Sequence, residues 1–246
     1  MSRMPIINFD EHFADYTSAW MKEHQGEYAT YDEMEADLPK VYMMFLNTRA
    51  AWLGSLTPGS YFTQFEDPKV LVDWMHEYCR QGVPVPDLLT EQITFVGKPC
   101  EKRLLELLKD PEAGEEASML AVGLLREMGE TAVQPMLQAV REANAAGQEA
   151  LLDVLSNYPG NEQIFQLAIR LFRDHPEKRA LFAGYLARIG DPRALTELEE
   201  AAREKEMSYL TFIEIRNAIE ELGGECPERE FEEDPEYDAL RGMDLT

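Results

Sequence analysis

Hydrophobic positions in this chain recur mostly at three- and four-residue spacing, and no stretch carries a convincing strand pattern; the best strand candidate, Gln92 to Val96, is short. Aromatic residues Phe9, Phe13, Tyr16 and Trp20 mark one amphipathic helix around 10–24. Thr30 and Glu33 have capping-box spacing and open a helical pattern that runs to about Leu53, with an interruption or restart at Pro39. Thr57, Pro58 and Gly59 are turn residues. Asp67 and Pro68 then supply an N-cap and a first helical residue, and Val70, Leu71, Trp74, Met75 and Tyr78 form the buried face that follows. Pro84 and Pro86 force extended backbone, Asp87 caps a short helix through Ile93, and Gly97, Lys98 and Pro99 close this first part.

From about residue 100 the pattern repeats. Gly129, Gly160, Gly190 and Gly223 recur at intervals of 31, 30 and 33 residues, each where a helical pattern stops. Eight residues before them stand Ala121, Leu152, Phe182 and Ile215. After the first three glycines, Val133, Ile164 and Ala194 occupy the fourth place, Leu137, Ala168 and Leu198 the eighth, and Val140, Leu171 and Ala201 the eleventh. A helical hairpin cannot bury its apolar face alone, whereas about three or more stacked hairpins share one core. Asp191 and Pro192 restart the chain after Gly190, and Asp110 with Pro111 is expected to do the same earlier.

The stretch Glu177 to Leu198, EKRALFAGYLARIGDPRALTEL, resembles the HEAT-like repeat, also called the phycobilisome-lyase-type repeat. The likeness rests on the small and apolar spacing, on Ile189, Gly190, Asp191 and Pro192 in a row, and on Ala194, Leu195 and Leu198. It extends to 115–144 and, with Tyr158 and Pro159 replacing the apolar pair before the glycine, to 147–174. It implies an all-α fold: an α-α superhelix, or HEAT-like solenoid, over 100–224, with 1–99 as an N-terminal helical cap or subdomain. In such folds the second helix of each hairpin commonly lines a concave binding face. Here those helices fall near 131–143, 161–174 and 192–205.

Charge then narrows the function. The chain has 246 residues with a formal charge of −24, and 201–246 alone holds 14 acidic against five basic side chains. Such a surface repels phosphate backbones, so direct nucleic-acid binding is not expected; the charge fits either attraction of basic protein partners or simple solvation. The acidic run from Glu228 to Asp238, carrying Phe231 and Tyr237, makes 225–246 read as a flexible tail. No apolar run approaches the roughly 18 residues of a membrane span and no secretory signal pattern opens the chain, so a cytoplasmic protein without a membrane partner is expected.

Chemistry is sparse. Cys79, Cys100 and Cys226 form no disulfide framework and carry no flanking signature of a nucleophile. His76 and Cys79 share a helix face but lack further ligands at a metal-site spacing. Carboxylate pairs such as Glu115–Glu116 are what solvated faces of an acidic protein carry, and no GxGxxG, P-loop, GxSxG or HExxH motif is present. No catalytic residue, metal site or cofactor is assigned.

The expected binding face therefore comes from the second helices: Gln138 and Arg141, then Phe165, Gln166, Arg170, Phe172 and Arg173, then Glu200 and Arg203. Arginine and aromatic residues are enriched in binding hot spots, although Phe165 and Phe172 equally fit a role as filler against a neighbouring helix. The function this suggests is a protein-interaction scaffold or adaptor. The alternatives are an enzyme on a HEAT-like fold of the lyase type, and an acidic nucleic-acid mimic that blocks a basic partner.

Overall fold

Trp74 and Tyr78 explain how the chain begins. The Trp74 indole N–H donates to the Pro5 carbonyl at 2.9 Å, and the Tyr78 hydroxyl donates to the Ile7 carbonyl at 3.0 Å while accepting from the Ile7 N–H. These bonds pin an extended segment whose backbone groups have no helix to satisfy them. The structure is a computed structural model that describes residues 4–229 and Phe231, and its regular elements are all helical. Residues 1–135 with 141–147 form one compact unit; 136–140 with 148–246 form a second.

The first unit opens with α1 (Phe9–His24), capped by the Asn8 side chain. In α2 (Tyr31–Glu35) Thr30 accepts from the Glu33 N–H at 3.2 Å, while the Glu33 carboxylate reaches the Ala29 N–H, one residue before the usual capping-box donor. Pro39 does interrupt: the helix restarts as α3 (Leu38–Asn47) with the proline in its first turn. It stops at Asn47, earlier than the apolar pattern suggests, because Trp52 and Leu53 reach the core from a 3-10 turn, Ala51–Leu53. Phe9 packs edge-on against Trp52 and tilted against Phe62, both at 5.4 Å.

After the short α4 (Pro58–Tyr61), Asp67 caps α5 (Pro68–Gln81), accepting from the Lys69 and Val70 N–H groups. The buried face is Leu71, Val72, Trp74, Met75 and Tyr78; Val70 is only half-buried. Next come α6 (Asp87–Val96), α7 (Lys98–Leu107) and α8 (Gly114–Glu127), packed on α5 and on one another. The strand candidate Gln92–Val96 is the second half of α6, whose β-branched residues are overridden by burial of Gln92 and Ile93. Pro86 takes the N-cap place and Asp87 the first turn. Asp110 and Pro111 make a turn, with the Asp110 carboxylate on the Glu112 N–H, and α8 begins only at Gly114.

Because α7 and α8 pack on α5 and α6, the chain has no structural break at residue 99/100; the divide between units falls at 135–148. α9 (Val133–Ala139) runs across that divide. The second unit holds α10 (Ala145–Leu155) from residue 148 onward, α11 (Glu162–Asp174), α12 (Arg179–Ile189), α13 (Leu195–Ala202) and α14 (Tyr209–Glu221). Within it α12 packs on α11 and α14, and α13 on α14.

The glycines at the repeat spacing share a backbone conformation, and most of the apolar residues in register with them are buried. Gly129, Gly160, Gly190 and Gly223 all have left-handed backbone, with φ of 77°, 78°, 72° and 82°. At Gly190 the reason is visible: the residue ends α12, its N–H bonding the carbonyls of Leu186 and Ala187, before Asp191 caps the next turn. Every column residue is buried except Leu137 and Leu171, which are half-buried beside fully buried Met136 and Phe172.

The segment read as a flexible tail begins attached. Phe231 packs at 5.3 Å from Tyr209 and 5.1 Å from Phe212. The Arg229 guanidinium lies 4.6 Å from the Phe231 ring and donates to the carbonyls of Glu204 and Lys205. A cation on carbonyls just past the end of α13 is favoured by the helix dipole, a local interaction that net charge does not reveal. Glu230 and residues 232–246 lie outside the described residues.

Candidate functional site

Most of the second-helix residues reach the surface, and three of them, Gln166, Arg173 and Arg203, are held by hydrogen bonds or ion pairs. On α11, Arg173 forms a bidentate pair with Glu197 of α13. Glu162, at the start of the same helix, binds Arg193, which also pairs with Asp191. Gln166 donates to Glu162, and Arg203 pairs with Glu199 at 3.4 Å. Gln138, Arg141, Arg170 and Glu200 are exposed. The two phenylalanines are not: Phe165 is 5% exposed beneath Arg193, whose guanidinium lies 4.4 Å from its ring, and Phe172 is 2% exposed near Arg179. Both rings are core, and the arginines above them act as cation–π lids. No aromatic anchor therefore faces solvent on α11.

A different surface has the properties sought there. Thr90 of α6 and Glu115, Glu116, Met119, Leu120, Gly123, Leu124 and Glu127 of α8 line a groove of about 660 Å³ whose walls are mainly apolar. The α8 residues recur at three- and four-residue spacing along one helix face. Met119 is 58% exposed at its lip. Gly123 is among its lining residues, and a β-carbon placed there meets no atom within 4 Å. Glycine inside a helix costs about 1 kcal/mol relative to alanine; here no neighbouring atom demands it.

The rim is acidic. Glu127 accepts a hydrogen bond from the Thr94 hydroxyl at 3.1 Å. None of Glu115, Glu116 and Glu127 forms an ion pair among the described residues. Elsewhere carboxylates are paired: Asp73 of α5 with Arg103 of α7, Glu142 with Lys109, Glu149 with Lys178. Comparison with protein-family models, with curated proteins and with solved structures finds no match.

The reactive-residue candidates fare differently. Burial pushes the Cys79 thiol up to about 11, helped by the nearby Glu116 carboxylate, and pushes Cys100 to about 11. Burial raises Cys226 as well. All three are therefore thiols at neutral pH, the weakly nucleophilic form. His76 and Cys79 share α5, but no group of three or more His, Cys, Asp or Glu among the described residues is placed to hold a metal. No described helix is long and apolar enough to cross a membrane.

Sequence reasoning missed the groove for identifiable reasons. Glu115 and Glu116 read as a solvated pair, and no motif singles out Met119. The one available signal was Gly123, a glycine inside a helix six residues before the repeat glycine.

Proposed function

We propose that this chain is a protein-interaction adaptor whose helical hairpins over 100–224 form a HEAT-like array, and that it holds a partner in the α6–α8 groove. The observation that carries this is the pairing of an open apolar groove with a rim of carboxylates that form no ion pair among the described residues. A concave, mainly apolar groove of about 660 Å³ against a helix face is a common kind of binding site. The recurring left-handed glycines and the buried columns support the repeat reading. The burial of Phe165 and Phe172 and the ion pair of Arg173 with Glu197 support moving the binding surface away from α11.

Site-specific photo-crosslinking in cells of the native host tests it. A benzoylphenylalanine at Met119 is expected to yield defined protein adducts, and the same probe at Arg170 or Gln138 is not. Adducts at Arg170 alone would keep the adaptor and move its face to α11. Absence of adducts at all three positions would overturn the adaptor reading.

A further inference from the structure

We propose that the α6–α8 groove takes the apolar face of a basic amphipathic helix supplied by a partner protein, an inference that rests on the adaptor reading above.

Three features of the groove select this occupant. Its length is the first. From Glu115 to Glu127 it follows α8 for about 18 Å at roughly 1.5 Å per residue, too elongated for a compact small molecule and matched to a helix of three to four turns. A glycine in its lining is the second. The open space over Gly123 lets another helix approach the backbone of α8 closely beside Met119, Leu120 and Leu124. Its charge is the third. Glu115 and Glu116 stand toward one end and Glu127 at the other, so an apolar stripe flanked by lysine or arginine satisfies both stripe and rim.

The same charge disfavours other occupants. The chain's own segment 228–238 has seven acidic side chains and one arginine, and would bring like charge to the rim. Phosphate backbones and anionic lipid surfaces are disfavoured for the same reason.

The test is fluorescence anisotropy of the full chain with labelled peptides of about 18 residues. One peptide has a leucine stripe at helical spacing flanked by lysines. A second keeps the leucines and replaces every lysine by glutamate. A third scrambles the first. The basic helix is expected to bind saturably, at least about tenfold tighter than either control, and more weakly as salt rises. Gly123→Leu adds a bulky side chain at a lining position where a β-carbon meets no atom within 4 Å. It should keep the thermal melting temperature at or above that of the unaltered chain and weaken the basic peptide by about tenfold or more. Glu115→Lys with Glu116→Lys should shift preference toward the acidic peptide.

Equal binding of the basic and acidic helices, equal binding of the scrambled peptide, or a Gly123→Leu variant that binds normally would overturn the proposal. A Met119 crosslink to a partner segment that is acidic or not helical would also overturn it, and would leave the adaptor standing. Failure of the adaptor itself shows separately, as the absence of any crosslinked protein.

Discussion

α8 and α11 treat an exposed helix face in opposite ways. α11 buries both its phenylalanines and covers them with cations, and its end charges are latched to neighbours: Glu162 to Arg193, Arg173 to Glu197. α8 leaves Met119 exposed, leaves Gly123 open, and holds Glu115, Glu116 and Glu127 outside any ion pair among the described residues. The two helices differ little in how interface-like they look as sequence; if anything α11 looks the better candidate. Arginine and phenylalanine on one helix describe a sealed core as readily as a binding hot spot. What distinguishes the two is whether the charges already have partners.

The largest expected effect tests the sealed side. Phe172→Ala removes a ring that is 2% exposed, in contact with the Arg179 guanidinium 5.6 Å from its centroid. The change should cost about 3–5 kcal/mol of stability, measured by urea unfolding followed by far-UV circular dichroism. A variant that keeps its stability and loses partner binding would reverse the assignment of α11.

Next in size are two glycines that should respond with opposite signs. Gly190 ends α12 with φ of +72°, where a β-carbon is strained, so Gly190→Ala should destabilise by about 1–2 kcal/mol. Gly123 lies within α8 over open space, so Gly123→Ala should stabilise by up to about 1 kcal/mol through helix propensity. Thermal melts of the two variants compare them directly. A destabilised Gly123→Ala would mean that the groove is filled by something other than a partner.

A paired carboxylate gives the contrast to the α8 rim. Burial alone would raise Asp73, but hydrogen bonds from Lys69 and Arg103 outweigh it and hold the carboxyl below its ordinary value. A folded value below the unfolded one adds stability that is present above about pH 4 and is lost as pH falls through the folded value. Asp73→Asn should therefore cost about 1 kcal/mol at pH 7, and the difference from the unaltered chain should shrink in acid, at pH below the lowered folded value. Unfolding curves at the two pH values check both sign and window. A difference that persists in acid would assign the loss to packing.

The sequence made much of the fold readable because local rules and tertiary packing agree there. Asp67, Thr30 and Asp191 cap where their spacing says they should, and the four repeat glycines share one backbone conformation. It misled where burial overruled a local preference. Gln92–Val96 is helical because Gln92 and Ile93 are needed inside, the Gln92 side chain donating to the Phe65 carbonyl. Phe231 is buried within an acidic run because one arginine, Arg229, bridges it to α13's trailing carbonyls. The groove itself was hidden for a related reason. Whether Glu116 is paired, or whether Gly123 has a neighbour, depends on residues distant in sequence, and no periodicity reports it.

The smallest effects on stability carry the sharpest reading of the comparison. Arg170 is exposed and forms no ion pair among the described residues, so Arg170→Glu should change stability by less than about 0.5 kcal/mol. Glu116→Gln should be equally quiet by the same unfolding measurement, since no cation is lost. The two should separate only when a partner is present. Glu116→Gln removes one carboxylate from the groove rim and should reduce both the yield of the Met119 crosslink and its sensitivity to salt, whereas Arg170→Glu should leave both unchanged. The opposite result, with Arg170→Glu abolishing the crosslink and Glu116→Gln silent, would place recognition on α11 after all, on a face whose remaining charges are largely engaged with each other.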